Sequence, residues 1–347
     1  GIIDSMTCKT RLNVDMISES EFTVQGHGVH TAFVEMTNAL KARKDTSVVV
    51  NQARSDADIV HAQTIGLYSM WMLKRSRGKK IISGHVIPAS LVGSIKGMGR
   101  MQWLVRAYMR WVYNQADLVL ACSNMVKETM TGPMKLKTRV EVLYNTVDMS
   151  RYASTAKTKQ PARKKLKLKP SDFVVVGNGQ VQPRKRLDTF FETARALPEV
   201  TFIWVGGIPF KHLGAEYGKM QDLIASAPKN VIITGVIDHT DVMTYLHAAD
   251  AFFLPAEQEN HPMCVLEAAG AGLPIILRDI HEYDDTFRPD AQFISSAQDA
   301  VQVIDKLRDD AKWYKQQVAA AGRIAKRFDS RAGGERLVEF YRSVLES

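Results

Sequence analysis

"ADAFFLPAEQENHPMCVLEAAGAGLPIILRD", Ala249 to Asp279, decides how this chain folds. An apolar run ends at Pro255 and a polar loop. A small-residue stretch from Met263 then stops at Gly272-Leu273-Pro274, and a second apolar run follows. The order reads as strand, loop, helix, stop, strand. Short, continuously apolar strands joined by a helix pair in parallel and are buried on both faces. Glu259 and Glu267 have seven residues between them, one acid in the loop and the other inside the helix. Pro262 suits a first helical turn, where its missing N–H costs nothing.

The same alternation occupies most of the 347 residues. "TSVVVNQ", "ADIVHAQ" and "KKIISGH" form one strand series, with helical stretches in "HTAFVEMTNALKARK" and "QWLVRAYMRWVYNQA". "DFVVVGNGQ", "TFIWVGG", "NVIITGV", "ADAFFLPA" and "LPIILRD" form a second. Two series predict two doubly wound α/β domains, with ligands at the carboxyl ends of the strands. "TAKTKQPARKKLKLKPS", with seven Lys or Arg from Lys157 to Lys169, reads as an exposed hinge-side segment, part linker and part short helix. No repeat of 20 to 50 residues is visible.

Composition is ordinary for a globular chain, 45% hydrophobic and 24% charged. No apolar run is long enough for a spanning helix, and no signal peptide is expected. Gly1 to Ser5, ahead of Met6, read as an appended leader outside the fold. Three cysteines without CxxC spacing suit a reducing compartment and argue against structural zinc. A formal charge of +9 suggests nucleic acid, an acidic membrane or a phosphorylated ligand, although a basic solvated surface explains it equally well.

Several loops carry possible chemistry. The free N–H groups of the turn at Pro262 would make an anion site beside Glu259. That combination suits a phosphorylated sugar, with an ordinary helix-start acid and a solvated Glu as the plainer alternative. "VGNGQVQPRKRLD", Val176 to Asp188, follows a strand and brings Arg184, Lys185 and Arg186 toward phosphate, but matches neither GxxxxGK[ST] nor GxGxxG. "VQGHGVHTAF" is a glycine loop opening a helix, and His85 in "IISGHVIP" ends a strand. No HExxH, Ser-His-Asp or DxD arrangement stands out, and "YDD" at Tyr283 to Asp285 is too loose to specify a metal. No metal is expected.

Taken together, these pieces resemble the retaining glycosyltransferases of family 4. That family has the GT-B architecture, two Rossmann-like doubly wound parallel-sheet domains facing a cleft. Glu259 to Glu267 with "AAGAGLPII" resembles the family's E-x7-E signature, "QPRKRLD" its basic phosphate loop, "GHGVH" its first glycine loop and "SGHV" its cleft histidine. The resemblance implies that Glu259 contacts the hexose and Glu267 the ribose. Lys185, with Arg184, would neutralise the leaving diphosphate, helped by the helix end from His261 and Pro262 through Met263, Cys264 and Val265. His85 would lie by the sugar, Gly26 and Gly28 by the diphosphate, and Val236 near the base. The family commonly has Arg where this chain has Gln180, which leaves Arg184 to supply that charge or weakens diphosphate binding. The implied donors are UDP-glucose or UDP-galactose, as substrate rather than cofactor.

The implied domains are 6–150 for the acceptor, 151–170 as basic linker, 171–328 for the sugar nucleotide, and 329–347 as a helix returning toward the first domain. On a helical wheel from Arg100 to Tyr113, Met101, Leu104, Val105, Tyr108, Met109, Trp111 and Val112 fall on one face. Gln102, Arg106, Arg110 and Tyr113 fall on the other, with Trp103 beside the arginines. A tryptophan among arginines suits an anionic membrane interface. "LYSMWMLKRSRGKK" repeats that mixture. Both point to a lipid acceptor and a peripheral position on the inner face of the cell membrane, as in the bacterial glycosyl-diacylglycerol synthases that the chain resembles. A soluble acceptor is the alternative. Nucleic-acid binding is not expected, because the basic runs lack interleaved aromatics.

Overall fold

The computed structural model describes residues 11–22, 28–88, 102–208 and 217–347. Among these residues two six-stranded sheets form, and every strand pair in both is parallel. The first comprises β1 (Leu12–Ile17), β2 (Thr46–Val50), β3 (Ile59–Ala62), β4 (Lys79–Gly84), β5 (Leu118–Ala121) and β6 (Arg139–Val142), in the order β2-β1-β3-β4-β5-β6. The second comprises β7 (Val174–Asn178), β8 (Thr201–Val205), β9 (Val231–Ile233), β10 (Ala251–Leu254), β11 (Ile275–Arg278) and β12 (Gln292–Ile294), in the order β12-β11-β10-β7-β8-β9.

Alternate side chains of the first sheet build separate cores on its two faces. Val60, Ile82 and Val119 join Met109, Val112 and Val126 from the helices Gln102–Tyr113 and Asn124–Thr131. Ile59, Ile81 and Leu118 join Phe33 and Leu40 of the helix Gly28–Lys41, and Leu337, Phe340 and Val344 of the helix Ser330–Leu345. The last helix therefore returns to the first sheet. Its Tyr341 hydroxyl lies 2.7 Å from Nδ1 of His61, whose Nε2 lies 2.9 Å from the Ser83 hydroxyl. Burial pushes the His61 pKa down to about 3, so this ring is a neutral core group.

β1, β5, β6 and β12 lie outside the runs picked out by apolar content. β1 was obscured by Asn13 and Asp15. Asp15 is nonetheless buried, accepting from the backbone N–H groups of Gln52 (3.4 Å) and Arg54 (3.0 Å).

The basic segment contains the expected short helix, and Lys157, Lys164, Lys165, Lys167 and Lys169 are exposed, but one of its cations is not. Its helix Ala156–Lys165 packs on the second domain, and Arg163 is buried. The Arg163 guanidinium donates to the carbonyls of Ala248, Lys169, Pro170 and Asp172 and to Asp250 Oδ2 at 2.6 Å.

The helical wheel of Gln102–Tyr113 also needs correction. Met109, Val112 and Tyr113 are buried, and the Tyr113 hydroxyl donates to the Val86 carbonyl at 2.8 Å. Leu104, Tyr108 and Trp111, assigned to the inward face, are exposed. Met101 lies outside the described residues.

Candidate active site

In the second sheet β7 has β8 on one side and β10 on the other, so the strand order reverses between β7 and β10. The crevice at such a reversal takes ligands. The loops that leave β7 and β10 are those carrying the basic cluster and the first acid.

After β7 the chain makes a short 3-10 turn at Pro183–Lys185, then takes a left-handed residue at Arg186 before the helix Leu187–Ala196. This geometry turns the Lys185 amine inward. Gly179, at φ +156°, makes room for it, since a Cβ there would stand 3.1 Å from Lys185 Cε and 3.2 Å from Nζ. The Lys185 amine donates to Glu259 Oε1, and Arg184 Nη1 stands 3.3 Å from the same oxygen. Lys185 and Glu259 are 6% and 7% exposed, which places the pair inside the protein. Burial pushes the Glu259 carboxyl pKa up, but the two cations outweigh burial and hold it below the usual carboxylate range. Desolvation offsets much of the attraction within a buried pair. Such a pair therefore remains responsive to a third charge entering the crevice.

The helix Met263–Gly270 begins one residue later than expected, with Pro262 as its N-cap rather than in its first turn. Pro262 has no side-chain acceptor to offer. The Val265 N–H reaches the Pro262 carbonyl at 3.2 Å, whereas those of Met263 and Cys264 donate to no described protein group. Two backbone donors with positive dipole character thus lie beside the Lys185–Arg184–Glu259 cluster, an arrangement suited to an anion. Glu267 follows one turn into the helix. It is buried, and its Oε1 accepts from His239 Nε2 at 2.8 Å and from the Tyr152 hydroxyl at 3.5 Å.

Two family profiles match the chain. That of Glycosyl transferases group 1 covers residues 158–323, and that of Glycosyltransferase Family 4 covers residues 50–151. Over 279 residues the chain is 33% identical to the alpha-galactosylglucosyldiacylglycerol synthase of Streptococcus pneumoniae (strain ATCC BAA-255 / R6), spanning 79% of this chain and 74% of that one. The chain belongs to glycosyltransferase family 4. It is also 27% identical to the processive diacylglycerol alpha-glucosyltransferase of Acholeplasma laidlawii, over 79% of this chain and 81% of the relative. Its architecture is GT-B. The sucrose-phosphate synthase of Thermosynechococcus elongatus superposes with a TM-score of 0.79 at 15% identity, covering 97% of this chain and all of that one. Anabaena HepE, solved in complex with UDP-glucose, superposes with a TM-score of 0.73 at 16% identity, covering 96% and 100%.

The structure of this glycosyltransferase separates the other candidate residues. His261 turns away from the crevice. Its ring stacks on Phe287 at 5.3 Å, its Nδ1 accepts from the Asn145 N–H, and its carbonyl accepts from the Asn145 side chain. Burial pushes its pKa down to about 3. This neutral side chain joins the two domains, and its Nε2 is buried without a hydrogen-bond partner among the described residues. Val265 is fully buried, so only its backbone is near the site. Burial pushes the Cys264 thiol up to about 12, which keeps it protonated.

His85 Nε2 lies 3.0 Å from Gln63 Oε1, and the His85 carbonyl accepts from Asn260 Nδ2 at 2.8 Å, tying β4 to the acid loop. Gln180 Oε1 accepts from Gln182, and Arg184 also donates to the Gln258 carbonyl at 2.9 Å. The charge that Gln180 lacks is thus present next door. Val236 is exposed after β9, and Gly28 is the first residue of its helix. Gly26 lies outside the described residues. His239, Tyr152 and Asn145 were not singled out in the sequence; none belongs to a local motif, and only the fold brings them to the acid loop and its helix.

Proposed function

We propose that this glycosyltransferase moves a hexose from a UDP-sugar to diacylglycerol or a glycosyl-diacylglycerol, with retention, forming an α-linkage at a membrane surface. The observation that carries the reading is the buried Lys185–Glu259 pair, with Arg184 beside it, at the strand-order reversal and against an open helix end. The names of the Streptococcus and Acholeplasma relatives support the lipid acceptor, and UDP-glucose in HepE supports the donor.

In this mechanism the diphosphate lies against the N–H groups of Met263 and Cys264. Lys185 turns from Glu259 toward the phosphate oxygen as the bond to the sugar C1 breaks. Glu259 then accepts hydrogen bonds from the hexose hydroxyls, and Glu267 accepts them from the ribose. The acceptor hydroxyl attacks C1 from the face that the diphosphate leaves and gives its proton to a departing phosphate oxygen. Stabilising charge on that leaving group is the principal task. Glu259 is a poor nucleophile in this setting, because Arg184 still holds its Oε1 and the hexose hydroxyls engage the carboxylate. The protein's own cations serve the leaving group, and we propose no metal or cofactor.

The first domain presents the surface for the membrane. Trp103 is 68% exposed, Leu67 82% and Trp71 50%, with Phe22, Leu104, Tyr108 and Trp111 also exposed. Phe22, Tyr68 and Trp71 form one line of rings, with centroids 5.5 and 6.1 Å apart, and Tyr108 and Trp111 lie 6.2 Å apart. The Lys74 amine lies 5.5 Å from the Trp111 ring, and the Arg75 guanidinium 4.8 Å from that of Trp71. Arg106 is exposed and Arg110 half-buried on the same helix. Apolar rings interspersed with cations fit an anionic lipid interface. Among the described residues no helix is long and apolar enough to cross a membrane. The proposed place of action is the inner face of the cell membrane.

The function is tested by UDP release from UDP-glucose and UDP-galactose, with and without anionic vesicles containing diacylglycerol or monoglucosyl-diacylglycerol. The expected result is vesicle-dependent turnover that Glu259→Ala abolishes. Turnover indifferent to lipid would replace the membrane acceptor with a soluble one, and no turnover with either donor would overturn the donor assignment. In vesicle sedimentation, Trp71→Ser with Trp103→Ser should weaken binding about 1,000-fold, since burying each large aromatic contributes about 2 kcal/mol, about 4 kcal/mol for the pair. Unchanged sedimentation would remove this surface from the account.

A further inference from the structure

Glu267 is almost fully buried, yet its carboxylate is only half satisfied by the protein. Oε1 faces His239 and Tyr152, while among the described residues Oε2 takes no hydrogen bond and is not among the sealed, unpartnered atoms of the interior. An oxygen that is neither paired nor sealed is accessible. His239 begins the helix His239–Ala248, which follows β9, and reaches Glu267 from a different strand connection.

We propose that His239 is a positioning residue that holds Glu267 by one carboxylate oxygen and thereby presents the other to the donor's ribose hydroxyls. This rests on the reading of Glu267 as the ribose-binding acid. A carboxylate free to rotate would use both oxygens on solvent or on neighbouring donors, and the ribose would have to compete for it. Anchoring one oxygen removes that freedom before the donor arrives.

The charges around the ring give the contact a pH dependence. Glu267 bonds the ring and favours its protonated form, burial opposes it, and Arg151 and Glu35 act in opposite senses at longer range. His30, from the first domain, is the other titratable neighbour, its own pKa lowered first by burial. The balance raises the His239 pKa above its ordinary 6.5. Its contribution to stability is therefore complete below pH 6.5 and is lost as pH rises through the raised value. Above that value the ring keeps at most a neutral N–H bond, and Glu267 faces the buried Glu35 with less compensation. Donor affinity attributable to this acid should decline over the same interval.

The test is calorimetric binding of UDP to the full chain from pH 6 to 9, for the native protein and for His239→Ala, His239→Gln and Glu267→Ala. His239→Ala should weaken UDP binding about tenfold at pH 6, the order of a charge-assisted hydrogen bond. His239→Gln, which keeps an N–H donor without a titrating charge, should recover part of that loss and flatten the pH profile. Native-like affinity and an unchanged profile in both His239 variants would overturn the inference if Glu267→Ala still weakens UDP. If Glu267→Ala also binds UDP normally, the ribose assignment itself fails and takes the positioning role with it. Thermal melts without nucleotide identify any variant that loses affinity by failing to fold.

Discussion

Lys185→Ala should lower kcat for UDP release by about 10²–10³, the cost of removing one preorganised donor to a developing oxyanion. The side chain is buried, and the space it fills is shaped by Gly179, so no solvent cation has ready access to its place. Arg184 stays near Glu259 but is also bonded to the Gln258 carbonyl and Gln182 Oε1, which limits its movement toward the phosphate. The substitution has a second consequence. Without its closest cation, Glu259 is left to the burial that pushes its pKa up, so acid inactivation of the variant should begin at a higher pH. Lys185→Arg should rescue poorly, because the larger planar group must enter a space already in close contact with Gly179. A fall of less than fivefold in single-turnover measurements at saturating donor would transfer the leaving-group role to Arg184.

Asp250→Ala should destabilise the second domain by about 3–5 kcal/mol, as expected when one partner of a buried ion pair is removed. Asp250 receives Arg163 Nη2 at 2.6 Å, the Lys159 amine at 2.6 Å and the Val174 N–H at 2.7 Å. Its removal leaves the Arg163 guanidinium, 7% exposed, with carbonyls but no counter-charge. The same change frees the N–H at the start of β7, whose far end leads into the loop of Arg184 and Lys185. Arg163→Met combined with Asp250→Ala should cost less than the two single changes together, because the stranded charge disappears. Chemical denaturation followed by a second-domain probe such as Trp204 checks this. A loss below 1 kcal/mol would show that the backbone carbonyls suffice.

The parts of this molecule that local chemistry specifies were legible. β7, β10 and β11 are uninterrupted apolar runs, and the Glu259–Glu267 spacing lies in one loop and one helix. Features that depend on distant partners were not. β1 contains a buried Asp15 that is tolerable only because loop N–H groups from beyond β2 reach it. Arg163 looks like any other cation in a lysine-rich run until Asp250 and four carbonyls surround it. His239 and Tyr152 lie 28 and 115 positions from the Glu267 that they touch. His261 lies within the acid motif, yet its ring packs between domains against Asn145 and Phe287, which the motif alone does not reveal. On Gln102–Tyr113 the wheel treated apolar as inward. Leu104, Tyr108 and Trp111 break that rule by staying exposed, while Tyr113 goes inward because its hydroxyl finds a carbonyl.

The return of Ser330–Leu345 to the first sheet bears on the order in which the protein can be made. Ribosomal synthesis completes both sheets before this helix emerges, so Phe33, Leu40 and the β1 side chains await residues more than 280 positions away. Until then that face of the first sheet is covered only in part, by the helix Gly28–Lys41, and stays adhesive and dependent on delayed closure. Its maturation waits for the helix Ser330–Leu345 rather than for the completion of its own strands.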